Sequence, residues 1–273
     1  MKKISTKEEV IQEIKNLHKK IGRRPKRDDN IQLNSVARKF FGIWTNALKT
    51  AGYEVKMNQK PKIPDKLTPE LCYLVGLIIT DGHLVEDIKR GHYILLLFTS
   101  YEEEKNLILG LIKKLFNYDA YVRTKKTGFN KRESYEIHVN SKELLYYFKD
   151  VFDLPTGSKS NIVRVPKLFF TLNRKLTVNF IRGVIDGDGN VSLKKPINIS
   201  SGSYEFLKDL KILFFRLGLE SSEIYKDRTA YILRLYLRQN LKAYNLFYNN
   251  ILLCYPRKKE MLETNIFKNQ NLY

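Results

Sequence analysis

The feature that most constrains this chain is a nine-residue pattern that occurs twice, at residues 74–82 and 181–189. Each copy is an apolar helical run with glycine at its third place, aspartate at its eighth and glycine at its ninth. The apolar spacing predicts helices over about residues 70–80 and 178–186. Asp81 and Asp188 are 107 positions apart (188 − 81), which indicates an internal duplication of about a hundred residues.

The segments after each of these helices follow the same order: strand, strand, helix, strand, strand, helix. This alternation predicts an α+β fold with antiparallel sheets rather than a parallel one. In the first half we expect strands at 83–85, 93–99, 120–126 and 135–140, and helices at 101–116 and 142–152. In the second half we expect strands at 190–193, 197–200, 222–226 and 231–238, and helices at 204–217 and 241–252.

Residues 1–62 differ in character from the rest of the chain. They contain 16 Lys and Arg against 6 Asp and Glu, so they carry +10 (16 − 6) of the total charge of +20. Thr6 begins a predicted helix that ends at Gly22, and shorter helices are expected at 33–41 and 44–51. Three short helices with a basic turn suit a small DNA-docking module, or else a surface appendage whose charges are merely solvated. Residues 58–66 form a predicted linker.

The charge balance restricts the possible partners. The 49 Lys and Arg against 29 Asp and Glu indicate a polyanionic partner, although AT-rich and thermophile genomes also raise lysine content. The apolar runs fall short of the roughly 20 residues that span a bilayer. The start lacks the apolar core of a signal peptide, and Cys72 and Cys254 match no zinc or redox spacing. We therefore expect a reduced, cytoplasmic, nucleoid-associated protein, with organelle encoding left open.

Strand alternation selects candidate DNA contacts. In 231–238 we expect Leu233, Leu235 and Leu237 to pack on helices, while the alternate polar and cationic residues face outward. In 135–140, His138 lies on the outward side. An antiparallel ribbon of long polar side chains can enter a DNA major groove, but an ordinary solvated sheet face has the same pattern. The candidate contacts are Arg23, Arg24, Lys26, Arg27, Arg123, Lys125, Arg132, His138, Lys226, Arg228, Arg234, Tyr236 and Arg238.

The repeated aspartates suggest metal chemistry. Gly183 and Gly187 lie on one helix face, as do Gly76 and Thr80, so the two helices can pack closely and bring Asp81 beside Asp188. Two carboxylates at the negative ends of two helices repel each other unless a cation lies between them. Hard oxygen ligands favour Mg²⁺, which can activate water for phosphodiester hydrolysis. Alternatively, each Asp-Gly pair simply ends its helix.

Both stretches resemble the signature of the LAGLIDADG homing endonucleases in their single-chain, two-copy form, over about residues 65–273. The N-terminal residues Gly22–Pro25, Phe41–Trp44, Ala47–Leu48 and Ala51–Gly52 resemble the small repeat found beside such enzymes. The resemblance implies two pseudo-symmetric αββαββα halves at 63–172 and 173–273, after a helical module at 1–62. It also implies a monomer that cuts both strands of double-stranded DNA at a long asymmetric site, using Mg²⁺ (or Mn²⁺) and leaving 3′ overhangs.

The same resemblance assigns site residues. Asp81 and Asp188 become metal ligands, and Lys159 and Lys258 become basic residues beside the site, with Lys259 one position away as an alternative. The sixth-place residue is Ile79 in the first copy and Asp186 in the second, a place that the family varies. Arg182 replaces a small apolar residue, and Thr80 is bulkier than the usual glycine or alanine, so it is expected to widen the helix contact slightly.

Two other functions are compatible with the same scaffold. Some members of the family are RNA maturases that assist splicing of their own intron RNA, and a non-cleaving DNA-binding regulator is a third option. The presence of both aspartates favours cleavage. The initial Met1 and the absence of a terminal His-Asn pair disfavour an intein origin, so we expect a freestanding or intron-encoded reading frame.

Overall fold

The computed structural model of the protein describes residues 4–54, 59–127, 132–191 and 195–270. The chain forms two compact units, Met1–Gln59 and Lys60–Tyr273. Among the described residues, no helix is both long and apolar enough to cross a lipid bilayer.

The first unit is a three-helix module, as its sequence predicts. Its helices are α1 (Lys7–Ile21), α2 (Ile31–Phe41) and α3 (Trp44–Thr50). Thr6 and Glu9 form a reciprocal capping box at the start of α1, and Gly22 ends the helix at φ 68°, where glycine is favoured. The module has its own small core, which consists of Val10, Ile14, Leu33, Ala37, Trp44, Ala47, Leu48 and Ala51.

The first half of the second unit has the element order αββαββα. It consists of α4 (Pro69–Asp81), β1 (Gly82–Asp87), β2 (His92–Thr99), α5 (Glu102–Phe116), β3 (Tyr121–Thr127), β4 (Arg132–Asn140) and α6 (Lys142–Phe152). The strands form an antiparallel sheet in the order β1-β2-β4-β3. Alternate residues, including Leu95, Leu97, Ile137 and Val139, are buried beneath the helices, which leaves the other sheet face outward.

The second half repeats this order and adds one helix. Its elements are α7 (Arg174–Asp188), β5 (Gly189–Asn190), β6 (Asn198–Ser201), α8 (Tyr204–Arg216), β7 (Tyr225–Asp227), β8 (Ala230–Arg234), α9 (Asn240–Phe247) and α10 (Pro256–Gln270). The sheet order is β5-β6-β8-β7, again antiparallel. The α+β prediction with two antiparallel sheets is therefore confirmed, whereas α10 was not predicted.

The centre of the second unit is the crossing of α4 and α7. Every residue of α4 from Leu71 to Ile79 is buried, and this is why its sequence is apolar on all sides rather than along one stripe. A Cβ atom on Gly76 would lie 2.3 Å from the carbonyl oxygen of Phe180, and one on Gly183 would lie 2.1 Å from that of Tyr73. The two helix backbones are therefore in direct contact, which only glycine at these positions permits.

The predictions for the last strand and helix were wrong in part. The strand expected over 231–238 ends at Arg234, with Leu235 in an isolated bridge to Ser221. The register of Arg234 with Asn198 places Leu235 opposite Ile197, whose carbonyl oxygen accepts from Leu235 N at 2.9 Å. It places Tyr236 opposite Pro196, which has no N–H to donate, so the ladder goes no further. Leu237 therefore lies in a 3₁₀ turn and is 44% exposed instead of packing on helices.

Other boundaries also differ from the predictions. The helix expected to extend to Leu252 ends at Phe247, and Leu252 is 96% exposed. The strand expected at 190–193 is limited to Gly189–Asn190, and residues 192–194 lie outside the described residues. The strand expected at 222–226 runs from Tyr225 to Asp227. These elements are short, so a few residues of tertiary context decide where they begin and end.

Candidate active site

Asp81 and Asp188 are the last residues of α4 and α7, and the helix crossing brings their carboxylates together. Burial and the charge of Asp188 raise the pKa of Asp81 to about 7. Burial likewise raises the pKa of Asp188. Each carboxylate also lies at the negative end of a helix dipole. Burial, the neighbouring negative charge and the helix dipole therefore all oppose ionisation of this pair.

Gly187 makes room for this arrangement. A Cβ atom at Gly187 would lie 1.9 Å from Thr80 Oγ1 and 3.1 Å from Asp81 Oδ2. Thr80 Oγ1 donates back to its own helix, to the carbonyl oxygens of Gly76 and Leu77 at 3.1 Å each. The bulk of Thr80, expected to widen the helix contact, thus lies against a residue without a side chain.

Two lysines cap the ends of these helices. Lys159 Nζ donates to the carbonyl oxygens of Ile78 at 2.6 Å and Thr80 at 3.1 Å, and also to that of Ile79. Lys258 Nζ donates to the carbonyl oxygens of Ile185 and Gly187, both at 2.8 Å. Carbonyl groups at a helix C-terminus lack intrahelical donors, so a buried ammonium is a favourable partner.

Each lysine acts more strongly on the aspartate of the opposite half than the other lysine does. Of the two, Lys258 has the larger lowering effect on the pKa of Asp81, and Lys159 has the larger effect on the pKa of Asp188. Burial in turn lowers the pKa of each lysine to about 8. The neighbouring Lys259 instead donates to the carbonyl oxygen of Ile251 at 3.2 Å. The structure therefore places Lys258, not Lys259, beside the aspartates.

Asp186 has a different environment from the two eighth-place aspartates. It is 1% exposed and accepts hydrogen bonds from Tyr73 Oη at 2.7 Å, Tyr248 Oη at 2.8 Å and the backbone N–H of Tyr255 at 2.8 Å. Burial raises its pKa to about 6, whereas these three hydrogen bonds act in the opposite direction. Tyr73 belongs to the first half, so Asp186 joins the two halves.

A cleft of about 280 Å³ opens beside Asp81, and sequence reasoning did not identify its polar lining. The cleft is bounded by both halves: Thr99, Tyr101 and Glu104 come from the first, and Gly187, Tyr255 and Arg257 from the second. Glu104 is 5% exposed. Its only sequence signal was an acidic first turn of α5, which is commonly explained by the helix dipole.

The candidate DNA contacts of the first sheet share its outward face. By register, Arg123 pairs with Glu136, and Tyr121 with His138. Lys125 forms an ion pair with Glu136, and His138 Nε2 lies 3.5 Å from Glu136 Oε2. Arg132 begins β4, but its side chain lies outside the described residues. The Glu136 carboxylate thus neutralises part of the positive charge on this face.

The candidates of the second sheet are divided between its faces. Arg234 faces outward, where its Nε donates to Asn198 Oδ1 at 3.0 Å and its Nη2 to Tyr225 Oη at 2.6 Å. Lys226, another candidate, pairs with Tyr231 on the opposite face, because the register of β7 sets its direction. Arg228 is exposed in the turn at φ 53°. Tyr236 and Arg238 lie beyond the strand, and Arg238 forms an ion pair with Glu220.

The basic turn of the first unit is partly occupied by internal contacts. Arg23 makes a bidentate pair with Asp29, with N–O distances of 2.8 and 2.6 Å, and this pairing lowers the pKa of Asp29 to about 2. Arg24 donates to the carbonyl oxygen of Glu54 at 2.6 Å, and Arg27 pairs with Asp28 at 3.1 Å. Lys26 is exposed. Two of these arginines therefore hold the module together in addition to carrying charge.

Comparison with known families agrees with this architecture. Residues 5–54 match the family model of the homing endonuclease associated repeat. Residues 175–246 match the model of the LAGLIDADG-like domain, a range that falls in the second half.

Curated relatives share a segment rather than a whole protein. The chain is 36% identical over 174 residues to a probable translation initiation factor IF-2 of Thermococcus kodakarensis, covering 62% of this chain and 14% of the relative. It is 29% identical over 163 residues to a glutamine–fructose-6-phosphate aminotransferase of Methanocaldococcus jannaschii, covering 59% and 14%. An RNA polymerase subunit Rpo1C of the same organism is 27% identical over 216 residues, covering 76% and 22%. The chain thus spans a minor part of each relative.

Solved structures share the fold. The homing endonuclease I-DmoI in complex with DNA and Mn aligns with a TM-score of 0.53 at 22% identity, covering 67% of this chain and 98% of that one. I-WcaI bound to its DNA recognition sequence aligns with a TM-score of 0.50 at 16% identity, covering 71% and 85%.

Proposed function

Because the chain carries a homing endonuclease associated repeat followed by a LAGLIDADG-like domain, we propose that it is a site-specific double-strand DNA endonuclease of the homing type. The observation that carries this proposal is the pair Asp81 and Asp188, held at adjoining helix ends with one lysine beside each whose pKa burial lowers to about 8. Such an arrangement costs stability and is explained by a reaction that needs both carboxylates. The product is a double-strand break with 3′ overhangs, made by a monomer.

Asp81 and Asp188 would hold Mg²⁺ (or Mn²⁺). Carboxylate oxygens are the hard ligands that such cations prefer. Among the described residues, no cluster of three or more His, Cys, Asp or Glu side chains is placed to hold a metal ion. Two carboxylates leave coordination positions for phosphate oxygens and water, which suits a cation that bridges protein and DNA. When bound, the cation would polarise the phosphodiester and activate water.

The kinds of relatives support the homing assignment. A translation factor, an aminotransferase and an RNA polymerase subunit have no activity in common, yet each contains a segment similar to this chain. The shared segment occupies 14%, 14% and 22% of these proteins. A segment shared by unrelated proteins cannot perform their individual activities, and is explained by an inserted element with an activity of its own.

The DNA duplex would lie over the outward faces of both sheets, along the side chains of Arg123, Lys125, His138 and Arg234. Arg132, Arg228, Tyr236 and Arg238 would contribute at the strand ends. Lys226, on the opposite face, would contact only a phosphate that passes the sheet edge. The overall charge of +20 provides the long-range attraction that such a surface needs.

The proposal is tested by removing one carboxylate charge at a time. A cognate duplex is first selected from randomised DNA bound to the protein in Ca²⁺. With Mg²⁺, Asp81→Asn and Asp188→Asn should each reduce its cleavage by at least about a thousandfold, since several kcal/mol of electrostatic stabilisation are lost. Binding in Ca²⁺, measured by gel shift, should remain within a few-fold of wild type.

Asp150→Asn is the matched control, because Asp150 is an exposed carboxylate on α6, away from the aspartate pair. It should cleave at the wild-type rate. Wild-type cleavage by the double variant of Asp81 and Asp188 would disprove the assignment of these residues. Duplex binding without any cleavage by wild type would favour the non-cleaving regulator, and assisted splicing of intron RNA would favour the maturase.

The first unit would add phosphate contacts through Arg23, Arg24, Lys26 and Arg27. Removal of residues 1–59 should weaken duplex binding and flatten its salt dependence, because each lost phosphate contact reduces the slope of log K against log salt by about 0.9. The second unit is compact by itself, so the truncated protein can be compared directly. An unchanged salt slope, measured by titration at several KCl concentrations, would show that this unit does not touch DNA phosphates.

A further inference from the structure

The cleft beside Asp81 contains a buried carboxylate that is only partly satisfied. Glu104 Oε2 accepts a hydrogen bond from Thr99 Oγ1 at 2.5 Å. Glu104 Oε1 is buried without a hydrogen-bond partner among the described residues, and the nearest cation is Arg257 Nη2 at 3.6 Å. A buried carboxylate oxygen with an unsatisfied lone pair is costly, so its retention needs a reason.

Arg257 reaches this cleft from the other half of the unit. Its guanidinium lies 4.4 Å from the centre of the Tyr101 ring, and stacking of this kind fixes the plane of an arginine. Arg257 Nε and Tyr255 Oη are also buried without hydrogen-bond partners within the described part of the chain. The Arg257 side chain is 41% exposed and lines the cleft, so its terminal N–H groups can reach a ligand there.

The second half has no equivalent of this pair. Glu104 is the third residue of α5, and the third residue of the matching helix α8 is Phe206, which is 1% exposed. The two helix starts correspond closely, since Thr99 Oγ1 accepts from Tyr101 N and Ser201 Oγ accepts from Ser203 N. Arg257 precedes the capping Lys258, and the residue that precedes the capping Lys159 is Ser158.

Glu104 and Arg257 lie beside Asp81. Glu104 and Arg257 line the same cleft as Asp81, whose stronger lysine neighbour is Lys258. The stronger lysine neighbour of Asp188 is Lys159, next to Ser158. One site thus combines Asp81, Lys258, Arg257 and Glu104, and the other has Asp188 and Lys159 without the additional arginine and glutamate.

We propose that Arg257 binds a phosphate oxygen of one DNA strand at the Asp81 site and that Glu104 positions its guanidinium, so that the two strands are cut by unequal sites. This inference rests on the proposed endonuclease function. A planar guanidinium suits a phosphate because it offers parallel N–H donors, and a carboxylate behind it fixes its direction. At the matching positions of the other half, Phe206 has no carboxylate and Ser158 has no guanidinium.

The test follows each strand separately. The selected duplex is labelled at the 5′ end of one strand or the other and cut with Mg²⁺ under single-turnover conditions, which separates the chemical rate from binding. Arg257→Met should slow cleavage of one strand by about a hundredfold, the effect of removing one positioned donor, and leave the other within about twofold. Nicked DNA should accumulate. Glu104→Gln should slow the same strand by about tenfold, because the arginine remains but is less well oriented.

Two further variants control the interpretation. Ser158→Ala, at the matching position of the other half, should leave both strand rates unchanged. Arg257→Lys keeps the charge without the planar fork and should slow the same strand less than Arg257→Met. Thermal melting and duplex binding in Ca²⁺ establish that each variant is folded.

Equal slowing of both strands by Arg257→Met would overturn the proposal, since it would indicate a general electrostatic effect. Unchanged rates for both strands in Arg257→Met would overturn it as well. Absence of cleavage by the wild-type protein is a different result: it would disprove the endonuclease function, and this inference would fall with it.

Discussion

The outward faces of the two sheets differ in chemistry although the two halves repeat one element order. On the first sheet, the centre of this face is apolar: Val85 pairs with Ile94, and Leu96 and Phe98 follow along β2. Phe98 is 40% exposed. On the second sheet, the corresponding face is mainly polar, with Asn198 and Ser200 on β6, and with Arg234 held between Asn198 and Tyr225. Ile232, opposite Ser200, is an apolar residue on this face.

This difference shows how one duplicated scaffold can read an asymmetric DNA site. Apolar side chains distinguish base pairs chiefly by contact with the thymine methyl group, whereas arginine and asparagine form hydrogen bonds to guanine and adenine. If DNA lies over both faces as proposed, the half-site on the first sheet should be read through thymine methyl groups. The half-site on the second sheet should be read through hydrogen bonds.

The helix crossing is the part in which the halves remain alike. Gly76 and Gly183 each face the backbone of the opposite helix, and Lys159 and Lys258 each cap the helix of their own half. The two glycines and the two lysines hold Asp81 beside Asp188, and each half contributes one glycine and one lysine. The two sheet faces differ far more than the glycine contacts and lysine caps of the crossing, where the sixth-place residues Ile79 and Asp186 are one of the differences.

The largest expected effect is at this crossing. Gly183→Ala places a Cβ atom 2.1 Å from the carbonyl oxygen of Tyr73, and Gly76→Ala places one 2.3 Å from that of Phe180. Neither backbone atom can move without separating the helices, so each variant should lose about 3 kcal/mol of unfolding free energy or more. Urea denaturation followed by circular dichroism measures this loss.

Gly110→Ala is the matched control for these substitutions. Gly110 lies within α5, and a Cβ atom there would meet nothing within 4 Å. This variant should be slightly more stable than wild type, by about 0.5–1 kcal/mol, because alanine favours helix. If Gly183→Ala unfolded at the same urea concentration as Gly110→Ala, the close helix contact would be refuted. A loss at Gly183 without a loss at Gly76 would refute the likeness of the two helices.

The helices and the aspartate pair were predictable because their signals are local and repeated. Thr68 before Pro69 marks the start of α4, and its side chain accepts from Leu71 N as a cap should. Asp81 and Asp188 were identified because the same spacing occurs twice. Lys159 and Lys258 were identified only through the family resemblance, since nothing in their own neighbourhood requires a buried lysine.

Other features depend on tertiary structure and had no local signal. Glu104 and Arg257 are 153 positions apart (257 − 104), and only the packing of α5 against the start of α10 brings them into one cleft. The sheet face of Lys226 had no signal in the sequence, because one residue of register decides its direction. The end of β8 could have been predicted, since Pro196 was in the sequence, but only after the pairing of β6 with β8 was known.

The smallest expected effect tests the contrast between the two sheet faces. Replacing thymine by uracil removes one methyl group and leaves every hydrogen bond of the base pair in place. Each such change in the half-site on the first sheet should weaken binding about fourfold, since burying one methyl group contributes about 0.8 kcal/mol. The same replacement in the half-site on the second sheet should leave binding unchanged. Fluorescence anisotropy in Ca²⁺ measures both.

A double-mutant cycle assigns the effect to the sheet. In Leu96→Ser, the thymine that contacts Leu96 should no longer respond to replacement by uracil, while thymines elsewhere in the site keep their response. Leu96 is half-buried on the outward face opposite His138, so the fold should tolerate serine there. Equal methyl effects in both half-sites would show that the apolar character of the first face is not used to read DNA. Retained sensitivity in Leu96→Ser would place the methyl contact on another residue of that face, such as Ile94 or Phe98.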